Sequence, residues 1–200
     1  MGKAIAMEVK ENNCGIWLAP GMNIHRNPLC GRNFEYYSED PLLAGVTGAA
    51  LVKGIQSNGV SACVKHFAVN NKETNRKHSD SRLSQRALRE IYLKAFEYIV
   101  KNADPWSIMS SYNVINGHRA SECKELLEDI LRGEWNYQGL VVTDWWTRGE
   151  HYKEILAGND VKMATGFPDR VEKAQEMGAI GRADYVHCVR RVLEMIMKLD

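Results

Sequence analysis

One carboxylate closes an apolar run: Gly139-Leu140-Val141-Val142-Thr143 leads into Asp144, followed by two indoles, Trp145 and Trp146. A buried strand delivers its last side chain to a fixed place, and parallel α/β folds keep their reactive groups just past the carboxyl ends of strands. The competing reading makes Asp144 the N-cap of a helix opening near Thr147-Arg148-Gly149-Glu150. Three other apolar runs also end in chemistry-bearing residues. The first is followed by a long polar loop containing Gly31-Arg32-Asn33-Phe34-Glu35, and the second ends in Lys65-His66, with Arg76 further along. The third ends in Ser110-Ser111-Tyr112-Asn113. Four strand ends on one rim would gather Arg32, Lys65, His66, Arg76 and Tyr112 around Asp144, with Trp145 as an aromatic plate. A pyranose makes that demand, because its hydroxyls are read by charged donors and its apolar face stacks on indole. Phosphate would call for a glycine-rich loop opening a helix, and no such motif is present. The six histidines are scattered, so no metal or other cofactor is expected.

Strands are expected near Gly15–Ala19, Ala62–Ala68, Ser107–Tyr112, Gly139–Trp145 and Val161–Ala164, alternating with helices. Asp40-Pro41 is an N-cap with proline at the first helical position, opening a helix to about Ile55. Ser84 caps a second, with Leu88, Ile91, Tyr92, Ala95 and Ile99 forming one core-facing stripe. Ser121 opens a third through Leu126, Leu127, Ile130 and Leu131. The segment Ala183–Leu199 carries Val186, Val189, Val192, Leu193 and Ile196 as a fourth, and Ala4–Val9 is helix-like. The fold class is therefore α/β, an incomplete (β/α)8 TIM-type barrel of about five parallel βα units. An incomplete barrel leaves an open sheet edge, where a second copy or a complementing chain would pair.

Composition narrows the partners. With 26 basic and 25 acidic residues the net charge is +1, which supplies no electrostatic footprint for nucleic acid or an anionic membrane. Five cysteines, odd in number and without a C-x-x-C pair, form neither a disulfide framework nor a zinc knuckle. No apolar run nears the roughly 20 residues of a membrane helix, and the start is too short for a signal-peptide core, so a cytoplasmic setting is expected.

Five segments together resemble glycoside hydrolase family 3, the β-glucosidase family. They are Leu18-Ala19-Pro20-Gly21-Met22-Asn23-Ile24-His25-Arg26-Asn27-Pro28, Gly31-Arg32-Asn33-Phe34-Glu35, Lys65-His66-Phe67-Ala68, Ser111-Tyr112-Asn113 and Val142-Thr143-Asp144-Trp145. The resemblance covers almost all of residues 1–200, read as a partial barrel domain without the α/β sandwich domain that bears the acid/base glutamate. It implies a retaining β-glucosidase acting on terminal non-reducing β-D-glucosyl residues of a small glucoside or oligosaccharide, with Asp144 as nucleophile. Arg32, Lys65, His66, Arg76 and Tyr112 would bind the sugar, with Trp145 beside the nucleophile.

Nearby cations should hold the Asp144 pKa down, and His66 should act as a neutral donor or be a structural histidine. Glu35 reads as a loop brace paired with an arginine and Glu39-Asp40 as a helix start; Glu73, flanked by Asn71 and Arg76, is the next candidate for the acid but reads as a residue supporting the site. The tract His78-Ser79-Asp80-Ser81 only faintly matches the Asp-His acid dyad of the family's N-acetylglucosaminidases. Nothing corresponds to the family's D-G-P-x-G-x-R-like segment, and Met163-Ala164-Thr165-Gly166 stands where M-P-G-G is usual. Retention needs two carboxyl groups about 5–5.5 Å apart. Only the attacker is evident, so the isolated chain is expected to be weak or inactive. The alternatives are a non-catalytic truncated fragment that binds sugar weakly or assembles with another chain, and an aldolase-like barrel with Lys65 as Schiff-base lysine.

Overall fold

The computed structural model describes residues 1–199. In chain order, helix α1 (Gly2–Glu11) leads to β1 (Ile16–Trp17), α2 (Pro41–Gln56), β2 (Ser61–Phe67), β3 (Asp80–Ser81) and the short α3 (Gln85–Ala87). There follow α4 (Lys94–Ala103), β4 (Ser107–Ser110), β5 (Val114–Ile115), β6 (His118–Arg119) and β7 (Leu140–Thr143). Three helices close the chain: α5 (His151–Leu156), α6 (Pro168–Glu176) and α7 (Arg182–Leu199). Two stretches, Leu88–Tyr92 and Glu125–Glu134, are π-helical. No helix among the described residues is long and apolar enough to cross a membrane.

Strands β1, β2, β4 and β7 form one parallel sheet in that order, each crossing to the next through a helical layer. This is a barrel wall laid open: neighbours in sequence are neighbours in space, and the two edges do not meet. Registers are Trp17 with Ala62, Val64 with Ile108, and Ser110 with Thr143, with a shift between Val64 and Phe67. The fifth strand expected at Val161–Ala164 is reduced to a single parallel bridge between Val161 and Val142. One reason is that Lys162 is turned inward to a buried carboxylate and Met163 is tied to the Thr143 side chain.

The sheet is covered as its composition requires. All of β4 and β7 is buried, and in β2 only Lys65 reaches solvent. Asp40 caps α2 by accepting the Leu42 and Leu43 amides at 2.7 and 2.8 Å, and Ser84 accepts the Ala87 amide at 3.1 Å. Helix α2 lies close against α4. A Cβ on Gly48 would come within 2.7 Å of Ile99 and Met22, so only hydrogen fits there.

Three details depart from the sequence expectation. Ile91 is 42% exposed, because the π-helical turn inserts a residue and shifts the phase, bringing Leu93 and Phe96 into the core instead. Ser121 does not open a helix: it lies in a 3₁₀ turn, Ala120–Glu122, and its hydroxyl is bonded to Glu154. Strands β3, β5 and β6 form a second small sheet outside the five expected strands, with β5 and β6 joined through Asn116-Gly117 at φ 50° and 88°.

Candidate active site

The rim starts from the loop after β1, which runs alongside β2 and continues its pairing. The Met22 amide donates to the Lys65 carbonyl at 2.6 Å, and the Lys65 amide donates to Pro20 at 2.9 Å. This places Asn23 beneath His66, where its amide donates to the His66 carbonyl (3.0 Å) and accepts the His66 N–H (2.9 Å). The strand end is thereby fixed on both backbone groups.

Asp144 stands one residue past β7, with its amide donating to the Ser110 carbonyl at 2.9 Å. It is 5% exposed. Its Oδ1 accepts the Trp145 amide at 2.7 Å, whereas Oδ2 is buried without a hydrogen-bond partner, 3.8 Å from His66 Nε2. Asp144 caps no helix, since α5 begins only at His151. One carboxylate oxygen is therefore held and the other left free toward the rim.

The cations surrounding it are already partly engaged. Arg32 donates through Nε to Glu35 and through Nη2 to His66 Nε2 at 3.0 Å. Lys65 Nζ lies 3.3 Å from the other Glu35 oxygen, and Arg76 bonds Glu73 at 3.0 Å. The Arg76 guanidinium also lies over the Tyr112 ring, 4.8 Å from its centroid. This engagement corrects the electrostatic expectation: burial raises the Asp144 pKa, opposed by the Trp145 N–H, Arg32, Tyr112 and Arg76. Charges spent on Glu35 and Glu73 compensate the aspartate only in part.

His66, 1% exposed, has its pKa driven well below the usual range by burial and then by Arg32, Lys65 and Arg76, so it is neutral. A guanidinium can only donate, so His66 Nε2 accepts and the ring proton sits on Nδ1. That proton faces Tyr36 (3.3 Å) and Asn23 (3.4 Å), not the rim. His66 is thus neutral as expected, but here it orients Arg32 instead of presenting a donor. Burial, and next the charge of Asp144, push the Tyr112 phenol up to about 12, so it remains a protonated donor. Glu35 is the brace read from the sequence: burial raises its pKa, but Arg32 and Lys65 together bring it below the ordinary value. A carboxylate held ionised in this way cannot serve as a proton donor near neutrality.

Trp145 and Trp146 are 39% and 59% exposed and meet edge to face at 5.2 Å. Trp146 has φ +54°, a left-handed conformation that costs a bulky residue on the order of 1–3 kcal/mol and persists only when its surroundings enforce it. The structure thus brings Arg32, His66, Arg76, Tyr112 and Asp144 together and ties Lys65 into the same rim through Glu35, while the Trp145 backbone joins the rim at Asp144 and its indole packs on Trp146. Lys65 lies in an ion pair, whereas Schiff-base chemistry needs a desolvated amine. Asn23 and Tyr36 escaped sequence reading, as did a buried set behind the site comprising Ser121, Thr147, Glu154, Asn159 and Lys162. Lys162, a charge between Val161 and Met163, was the available signal, since lysine is buried only when paired.

Similarities to known proteins follow the same outline. A family model described as the glycosyl hydrolase family 3 N terminal domain matches residues 1–194. Beta-glucosidase A of Butyrivibrio fibrisolvens is 59% identical over 184 residues, 92% of this chain and 22% of that protein. An exo-alpha-(1->6)-L-arabinopyranosidase of Bifidobacterium longum is 44% identical over 199 residues, 99% of this chain and 26% of its own length. The solved beta-glucosidase 3B of Thermotoga neapolitana, in complex with alpha-D-glucose, superposes with a TM-score of 0.95 at 45% identity. That superposition covers 98% of this chain and 29% of the solved one. The chain therefore spans between a fifth and a third of the length of these relatives.

Proposed function

The chain belongs to glycosyl hydrolase family 3, and we propose that its rim is the sugar-binding and nucleophile-bearing part of a retaining β-glucosidase centre, with Asp144 as nucleophile. The observation that carries this reading is the asymmetry of Asp144: Oδ1 is fixed by the Trp145 amide while Oδ2 is unpartnered among cationic and phenolic donors. A carboxylate that attacks an anomeric carbon needs one oxygen free and the other restrained. Tyr112, Arg76 and Arg32 would read the sugar hydroxyls, and their bonds strengthen as the ring flattens toward an oxocarbenium ion. Trp145 offers the apolar plate. Relatives named for glucose and for arabinopyranose both support a neutral pyranoside as the substrate class.

No second carboxyl group stands free on this rim: Glu35 is paired through both oxygens, with Arg32 and Lys65, and Glu73 is held through one oxygen by Arg76, so we infer that the proton donor comes from elsewhere. Without it, glycosides with poor leaving groups turn over slower by a factor on the order of 10²–10⁴, whereas activated aryl glycosides suffer least. The test is incubation with a 2-deoxy-2-fluoro aryl glucoside carrying a good leaving group, followed by intact-mass and peptide analysis. One fluoroglucosyl group on Asp144 is expected, and none on Asp144→Asn. A folded protein that takes no label, or takes it elsewhere, overturns the assignment.

A further inference from the structure

Behind the strand end that carries Asp144 lies a buried ion pair that the rim chemistry does not use. The side chains of Lys162 and Glu154 are 2% and 1% exposed and bonded directly to each other. Lys162 Nζ also donates to Thr147 Oγ1 at 3.0 Å and to the Gly149 carbonyl at 3.2 Å, so three ammonium protons meet three acceptors. The second Glu154 oxygen accepts from the Thr147 and Ser121 hydroxyls at 2.7 and 2.8 Å. The glycine at 149 belongs to the arrangement, since a Cβ there would fall on the Glu154 carboxylate.

This network reaches Asp144 from two sides. On one, Asn159 donates to the carbonyls of Ser121 and Glu154 and accepts the Ser110 hydroxyl at 2.7 Å, while the Ser110 carbonyl holds the Asp144 amide. On the other, Met163, next to Lys162, donates its amide to Thr143 Oγ1 (2.9 Å) and accepts the Trp146 amide (3.0 Å). Between these anchors runs Asp144-Trp145-Trp146-Thr147, with Trp146 in its left-handed conformation. Stability alone does not account for the pair, because desolvating two charges offsets most of their attraction and an apolar pair of similar volume is commonly as stable. What an apolar pair could not do is hold Thr147 by its hydroxyl and Gly149 by its carbonyl.

We infer that Glu154 and Lys162 are positioning residues that clamp the Asp144–Thr147 loop in its strained shape, aiming Asp144 Oδ2 at the rim and holding Trp145 beside it. The link to catalysis rests on the reading in the preceding subsection, but the clamp itself is a property of the loop.

The test compares three variants of the protein as its gene encodes it: Glu154→Gln/Lys162→Met, which removes both charges at similar volume, Gly149→Ala, which displaces the carboxylate but keeps both charges, and Glu134→Gln as a surface control. Amide hydrogen exchange over residues 144–150 should be at least tenfold faster in the first two, with β2 and α4 unchanged. Labelling by the fluoroglucoside should slow by about tenfold to a hundredfold, while glucose affinity, carried mainly by Arg32, Arg76 and Tyr112 outside the clamped loop, falls by a smaller factor. The control should match the parent in every measurement. Exchange within twofold of the parent in a folded variant overturns the clamp, whether or not the protein labels. Faster exchange with an unchanged labelling rate overturns its role in aiming the nucleophile. Should the double variant fail to fold, Gly149→Ala decides by the same readouts. A parent that takes no label counts against the proposed activity, and exchange still decides the clamp.

Discussion

Asp144 is buried where its charge is unwelcome, and the consequence can be measured. Its folded pKa is raised, by burial above all, over the ordinary 3.8, so the folded state holds the proton more tightly than the unfolded chain does. That contribution to stability is therefore fully present below the unfolded value of 3.8 and is lost as pH rises from there through the folded pKa. Asp144→Asn should match the parent in stability at acid pH and exceed it at neutral pH. The gain should appear as a higher Tm for the variant at neutral pH only, read by thermal melts across pH. Equal melting at every pH would contradict this picture of a strained carboxylate. At this scale the sequence revealed which residue types stand on the rim and in what order, because each ends an apolar run. It did not reveal how they pair. That Glu35 draws Arg32 and Lys65 together, and that His66 turns its proton inward, depends on distances between loops far apart in the chain.

The elements were legible where a local rule dominates and obscure where tertiary packing overrides it. The Asp40-Pro41 and Ser84 caps are side-chain chemistry within a few residues, and both formed as expected. The π-helical turns are not written in a 3.6-residue pattern, so Ile91 was assigned to the core and rotated out of it. The hairpin at Asn116-Gly117 carries a strong turn dipeptide, but with only two strand residues on each side it has no alternating pattern to mark it. The α2–α4 contact yields a sharp expectation. Gly48→Ala forces a methyl group against Ile99 and Met22, costing about 1–3 kcal/mol by denaturant melting. Gly59→Ala, away from this contact but at φ +71°, should cost less, about 1 kcal/mol. A neutral Gly48→Ala would show that the helices can separate freely.

At the scale of the whole molecule, the α/β class and the open wall were both evident from the count and order of strands. Less evident was how much apolar surface stays uncovered. Along α7, Val186, Val189, Leu193 and Ile196 are each about half exposed, and only Met195 is buried. On α2, Leu42, Leu43 and Val46 are similarly bare. Such patches favour association. Residues 1–200 prepared alone should self-associate with rising concentration in sedimentation experiments, and Val189→Glu with Leu193→Glu should reduce this markedly. A monomer at all concentrations would show that the stripe is harmless in water.

The unclosed wall also has a practical use. The sheet stops at β1 on one side and at the Val161 bridge on the other, and Asp144 follows β7, beside the second of these margins. A second polypeptide that pairs with these margins and brings a proton donor could be expressed separately and fused to a bait, with residues 1–200 fused to its prey. Their reunion would release a fluorescent phenol from an aryl glucoside, turning the gap in the wall into the switch of a split reporter.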